Sequence, residues 1–171
     1  KKQRPGNRTR PVRLAEISME SNERILTGMG ELDRVLGGGI IKGSLVLIGG
    51  DPGIGKSTLL LQACRNIAAM GKSVLYISGE ESLQQIKMRA QRIGEVSDSL
   101  LLMCETDLGA IQEVIEEQKP DVCVIDSIQT MFSENVASAP GSVSQVREST
   151  GILLMLAKGL GVSIFIVGHV T

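Results

Sequence analysis

Residues 44–58 read Ser44-Leu45-Val46-Leu47-Ile48-Gly49-Gly50-Asp51-Pro52-Gly53-Ile54-Gly55-Lys56-Ser57-Thr58. A run of Leu, Val and Ile passes into a glycine-rich turn and then into the apolar periodicity of Leu59–Met70. That order predicts a buried strand over Ser44–Gly49, a tight turn, and a helix over Lys56–Met70. Gly50–Ser57 fits the spacing GxxxxGK[ST]. Glycines let successive backbone N–H groups turn inward around a phosphate, and the helix start adds free donors and a positive dipole end. A plain strand-to-helix turn requires neither the lysine nor the hydroxyl. The stretch Gly50, Asp51, Pro52, Gly53, Ile54, Gly55, Lys56, Ser57 and Thr58 is therefore expected to hold a nucleotide. Lys56 would reach the β- and γ-phosphates, Ser57 a Mg²⁺ ion, and Thr58 the α-phosphate.

The same alternation continues outward. Strands are expected at Ser73–Ser78, Ser99–Cys104, Asp121–Asp126 and Val162–Gly168, and helices at Glu81–Ile93, Asp107–Gln118 and Val143–Lys158. The strands are short, rich in Val and Ile, and apolar at both parities, as strands covered on both faces are. Strand–helix alternation of this kind predicts an α/β fold with a parallel sheet and crossover helices. Upstream, Thr27–Gly39 reads as a cap, a short helix and a glycine stop. The last strand runs into Gly168-His169-Val170-Thr171, where a parallel sheet would be expected to continue, so a fragment is expected.

Ligands in open α/β sheets bind at the carboxyl ends of the strands. Asp126 ends Val122-Cys123-Val124-Ile125 and fits an acid that holds Mg²⁺ through water; alone, it would serve equally as a cap. Glu80 and Glu81 follow Val74–Ser78, where a carboxylate can polarise an attacking water. Acids there also suit a helix start, a reading that fits Glu81 better than Glu80. His169, the single histidine, is either a structural residue or a γ-phosphate sensor. Ser133–Ser144 is a polar stretch after Asp126, either a connector or a functional loop.

Composition narrows the rest. The 171 residues suit one domain with a real core. Aromatics are 2%, namely Tyr76, Phe132 and Phe165, which argues against folds that stack bases on aromatic platforms. Net charge is −1, but Lys1, Lys2, Arg4, Arg8, Arg10 and Arg13 crowd the first 13 residues, which hold no acid. The body is thus acidic, and only the basic arm could meet phosphates broadly. Residues 1–22 read as a basic, flexible lead-in and 23–171 as the core. Cys64, Cys104 and Cys123 are far apart, with no CxxC, so no zinc site is expected and a reducing cytoplasm fits them. Gly151–Gly168 carries Lys158, Gly159 and Gly161 in its middle, so no membrane span is expected.

Thr27–Gly39, Gly43–Thr58, Tyr76-Ile77-Ser78-Gly79-Glu80-Glu81-Ser82, Val124-Ile125-Asp126-Ser127-Ile128-Gln129-Thr130 and Val167-Gly168-His169-Val170-Thr171 resemble, in this order, the motifs of the RecA-like P-loop ATPases, above all those of bacterial recombinational repair. The resemblance spans about Arg8 to Thr171. It implies a DNA-dependent ATPase using ATP and Mg²⁺, assembled as a ring on DNA, driving branch migration alongside recombination proteins. Carried over by position, Lys56 and Ser57 bind nucleotide and metal, Glu80 activates water, Asp126 supports the metal, and His169 takes the sensor's place. The loop after Phe132 falls where such cores place a DNA-facing loop, and the strand outside the phosphate-loop strand is expected to be missing. Complete members also carry a four-cysteine zinc motif, a KNRFG motif and a Lon-like domain, none of which lies in these residues, so DNA unwinding is expected to need them. Two other readings stand beside this one: a KaiC-like switch acting on protein partners, and a module that assembles on binding nucleotide without turnover.

Overall fold

A computed structural model describes residues 10–18, 23–50 and 55–169. In chain order it contains β1 (Arg24–Ile25), α1 (Gly30–Val35), β2 (Ile40–Ile41), β3 (Leu45–Gly50), α2 (Lys56–Ala69), β4 (Val74–Ser78) and α3 (Leu83–Ile93). Then follow β5 (Leu100–Cys104), α4 (Leu108–Gln118), β6 (Val122–Asp126), α5 (Val143–Leu160) and β7 (Ser163–His169). Short 3₁₀ turns lie at Leu14–Glu16 and Ile128–Thr130.

Five strands form a parallel sheet in the order β3-β7-β6-β4-β5. The chain first steps one way across it, β3 to β4 to β5, through α2 and α3. It then steps back, β5 to β6 to β7, through α4 and α5. Right-handed crossovers put helices on opposite faces when the direction of travel reverses. The core divides accordingly. Leu75, Ile77, Cys123, Ile125, Ile164 and Ile166 pack with α4 and α5. Val74, Tyr76, Val122, Val124, Phe165 and Val167 pack with α2 and α3. This is the RecA-like α/β arrangement expected, with helices on both faces.

Covering on both faces holds for β4, β6 and β7, which are buried along nearly their whole length. It does not hold for the edge strands. Leu47 of β3 and Leu101 of β5 remain 67% and 45% exposed. Edge strands keep one hydrogen-bonding side open, and here the flanking helices centre on the middle of the sheet.

The predicted elements return within one or two residues, with informative shifts. Helix α3 begins at Leu83, not Glu81, because Ser82 and Gln85 form a reciprocal capping box. Glu80 and Glu81 are thereby left in the turn. Two elements went unread: β1 and β2 are two residues each and pair antiparallel, too short for periodicity to register. Between them, the buried Thr27 is tied to α1, its N–H and hydroxyl both donating to Asp33 Oδ1 at 2.8 Å. The Thr27 carbonyl accepts from Asn66 of α2, and Gly28 (φ +74°) presses against that same side chain.

A Cβ on Gly28 would lie 2.7 Å from Asn66 Nδ2, whereas one on Gly30 meets nothing within 4 Å. Gly28→Ala is expected to cost roughly 1–3 kcal/mol in urea unfolding, and Gly30→Ala less than about 0.5 kcal/mol.

Candidate functional site

Strands β3, β4, β6 and β7 deliver their carboxyl ends to one edge. Register sets Gly50 beside His169 and Ser78 beside Asp126. Asp126 shares its parity with Val122 and Val124, and His169 with Phe165 and Val167, so both follow the face that packs on α2 and α3. The chemistry-bearing residues therefore converge beside the start of α2.

Asp51, Pro52, Gly53 and Ile54 lie outside the described residues. Gly55 precedes α2 in the left-handed region, φ 73°. The first-turn N–H groups of a helix have no acceptor within it, and here they belong to Lys56, Ser57 and Thr58. The Lys56 ammonium folds back over the sheet edge. It donates to the carbonyls of Gly50 at 2.6 Å and Gly168 at 3.1 Å, and its Nζ stands 3.5 Å from His169 Nδ1. Thr58, expected at the α-phosphate, accepts from Arg89 at 3.4 Å.

Glu80 stands in the turn after β4. Gly79 makes this turn possible, since a Cβ there would collide with the Thr130 side chain. Its N–H donates to the Asp126 carbonyl at 2.8 Å, tying the ends of β4 and β6 together. Glu80 Oε1 accepts from the Ser127 hydroxyl at 2.7 Å and lies 2.9 Å from His169 Nε2. A carboxylate can only accept, so His169 Nε2 donates to it. Partial burial works to raise the Glu80 pKa, but the Ser127 and His169 bonds and the His169 and Lys56 charges outweigh it, and the net shift is downward. The Gln129 side-chain amide grips the His169 backbone at both N–H and carbonyl.

The neighbouring acid is used differently. Glu81 forms a two-bond ion pair with Arg89 of α3, at 2.6 and 3.1 Å. Asp126 is 2% exposed. Its Oδ2 accepts from the buried Tyr76 hydroxyl at 2.7 Å, and its Oδ1 has no hydrogen-bond partner among the described residues. Burial, then the Asp126 charge and bond, hold the Tyr76 hydroxyl far above the usual phenol range. Burial works to lower Arg89, but Tyr76 and the acids Glu81 and Asp126 prevail and keep it firmly charged.

The residues suit a magnesium nucleotide on two observations: the buried Asp126 Oδ1, unpartnered among the described residues, and the first-turn donors of α2, which have no acceptor within the helix, with Lys56 and Ser57 among them. Sequence reasoning missed Tyr76, Ser127, Gln129 and Arg89. Each lies within motifs quoted above or about two helix turns beyond, yet nothing in spacing says which polar side chain reaches an acid across strands. The Ser133–Ser144 stretch is also more ordered than a connector. The buried Gln145 amide accepts from Ser133 N–H and donates to the carbonyls of Ser133, Val136 and Ser138. Arg147 and Glu134 face solvent. Cys64 and Cys123 are buried, with burial pushing the Cys64 thiol up to about 12. Among the described residues, no group of three or more His, Cys, Asp or Glu is placed to hold a metal, and no helix is long and apolar enough to cross a membrane.

A glycine-rich turn between a parallel strand and a helix, with acids at neighbouring strand tips, defines a P-loop nucleotide-binding core. The family described as "AAA domain" matches residues 10–171, and the chain belongs to it. Its curated relatives include proteins named DNA repair protein RadA. That of Halalkalibacterium halodurans is 54% identical over 162 residues, covering 95% of this chain and 35% of the relative. Those of Listeria monocytogenes and Streptococcus pneumoniae are 54% and 52% identical over 166 residues, covering 97% of this chain and 36% and 39% of theirs. The chain thus spans little more than a third of the length of these relatives.

Because the Glu80 pKa is depressed, its network stabilises the fold above the ordinary glutamate value of 4.5 and is lost as pH falls below it. Carbon-detected NMR should place the Glu80 titration below 4.5. Between neutral pH and pH 3, wild type should lose more stability than Glu80→Gln.

Proposed function

We propose that this chain is the ATP-binding and ATP-hydrolysing core of a DNA repair ATPase whose turnover is coupled to DNA. The observation that carries the hydrolytic part is the convergence of Lys56, His169 and Glu80 in one hydrogen-bonded line, with Asp126 on the next strand tip. The names and identities of the relatives support the DNA repair part.

Lys56 would exchange its two carbonyl acceptors for phosphate oxygens, with the α2 N–H groups and the flanking glycine turn completing the cradle. Ser57 and Asp126 would hold Mg²⁺, directly and through water. The ion, when bound, would neutralise charge on the phosphate oxygens. A Glu80 held below the ordinary range is ionised at neutral pH, so Oε2, the oxygen that Ser127 and His169 do not hold, can accept a proton of the attacking water and orient its lone pair in line. A weak base acts chiefly by positioning, which suits a loose transition state. His169 holds that carboxylate and also faces Lys56, so it can register what Lys56 binds. The remaining polar stretch, Ser133–Ser144, would meet DNA, and Arg147 or Lys158 would complete a neighbour's site in a ring. Branch migration, recombination partners and a cytoplasmic setting belong to the same proposal.

ATP hydrolysis measured with and without single-stranded DNA tests it. Lys56→Ala should abolish nucleotide binding. Glu80→Gln should bind normally and lose about 10²–10⁴-fold in turnover. Stimulation by DNA that vanishes in Lys56→Ala supports a DNA-coupled motor. Tight binding with no turnover in wild type would favour the assembly module instead.

A further inference from the structure

The proposed nucleotide site has two metal-side groups, Ser57 on α2 and Asp126 on β6, that belong to separate elements. Near them lie polar side chains with no part in the reaction described. The Thr58 hydroxyl, next to Ser57, accepts from Arg89 at 3.4 Å. Arg89 is locked by Glu81 at 2.6 and 3.1 Å. Tyr76 donates to Asp126 Oδ2 at 2.7 Å. Tyr76 is wholly buried and reaches from the middle of β4 to the tip of the adjacent strand. A hydroxyl buried there is an expensive way to fill a core, and phenylalanine would serve packing alone. What the hydroxyl does is occupy one oxygen of a buried carboxylate, while the other, Oδ1, has no partner among the described residues.

We infer that Tyr76 is a positioning residue for Asp126, and that its hydroxyl holds the Mg²⁺-side carboxylate in one orientation. The inference rests on the nucleotide-site reading above. Without the Tyr76 bond, either Asp126 oxygen can rotate into either place, and the free oxygen is no longer held toward one side. Partners of this kind behind a metal-side group are worth about 10–100-fold in metal affinity.

The test compares affinity for fluorescent ATP in excess Mg²⁺ and in EDTA, using the whole chain. Wild type should bind more tightly with Mg²⁺. Tyr76→Phe should leave the metal-free affinity unchanged and reduce the Mg²⁺-dependent gain about tenfold, with a higher Mg²⁺ concentration at half-saturation. In an Asp126→Asn background, Tyr76→Phe should have no further effect on the metal dependence. Tyr76→Leu, which likewise lacks the hydroxyl, should shift the metal dependence in the same direction, and it provides the readout if Tyr76→Phe does not fold. A Mg²⁺ gain unchanged in both variants overturns the positioning role while leaving the nucleotide site intact. A fall in metal-free affinity as large as the fall in Mg²⁺ overturns it in favour of a packing role. Wild type that binds no ATP in either condition overturns the nucleotide site itself, and this inference with it.

Discussion

The parallel register of the sheet is the constraint on which the site depends. Because side chains alternate, a slip of one residue would send a strand's whole set to the opposite face. Held in place, β3, β4, β6 and β7 end together, and Gly50, Ser78, Asp126 and His169 come to one edge. The apolar residues behind them hold the register. Val122 and Val124 precede Asp126, and Phe165 and Val167 precede His169, on the face that α2 covers. Core packing and site chemistry are therefore one pattern, apolar along the strand and polar at its tip.

The tips are also tied to one another by hydrogen bonds that need that register. Gly79 N–H to the Asp126 carbonyl joins β4 to β6. Ser127 to Glu80 and Gln129 to the His169 backbone carry the link across to β7. Lys56 closes it by reaching from α2 to the Gly168 carbonyl. A perturbation of Lys56 thus has a short physical path to Glu80, through one imidazole with a different partner on each nitrogen. Gln129 opens the segment leading to Ser133–Ser144, so the same path extends toward the polar stretch that Gln145 organises.

Two adjacent glutamates illustrate how context separates like residues. Sequence position allowed both to be helix-start acids or water activators. The capping box at Ser82 ended the ambiguity by keeping both in the turn, where the backbone sends them in different directions. Glu80 meets a hydroxyl and an imidazole, and Glu81 meets a guanidinium.

The strand–turn–helix of Ser44–Met70, the parallel class and the acids at the strand tips were legible in the chain itself. They rest on local spacing, in which periodicity of apolar residues, glycine freedom and the chemistry of Lys and Ser lie within a few positions of each other. The strand order, the exposure of Leu47 and Leu101 at the two edges, and the pairing of Tyr76 with Asp126, 50 residues apart, were not. A one-dimensional pattern says which residues are apolar or polar, but not which strand lies beside which. Only when the crossovers set the order of the strands do Tyr76, Ser127, Gln129 and Arg89 come within bonding distance of the acids they hold.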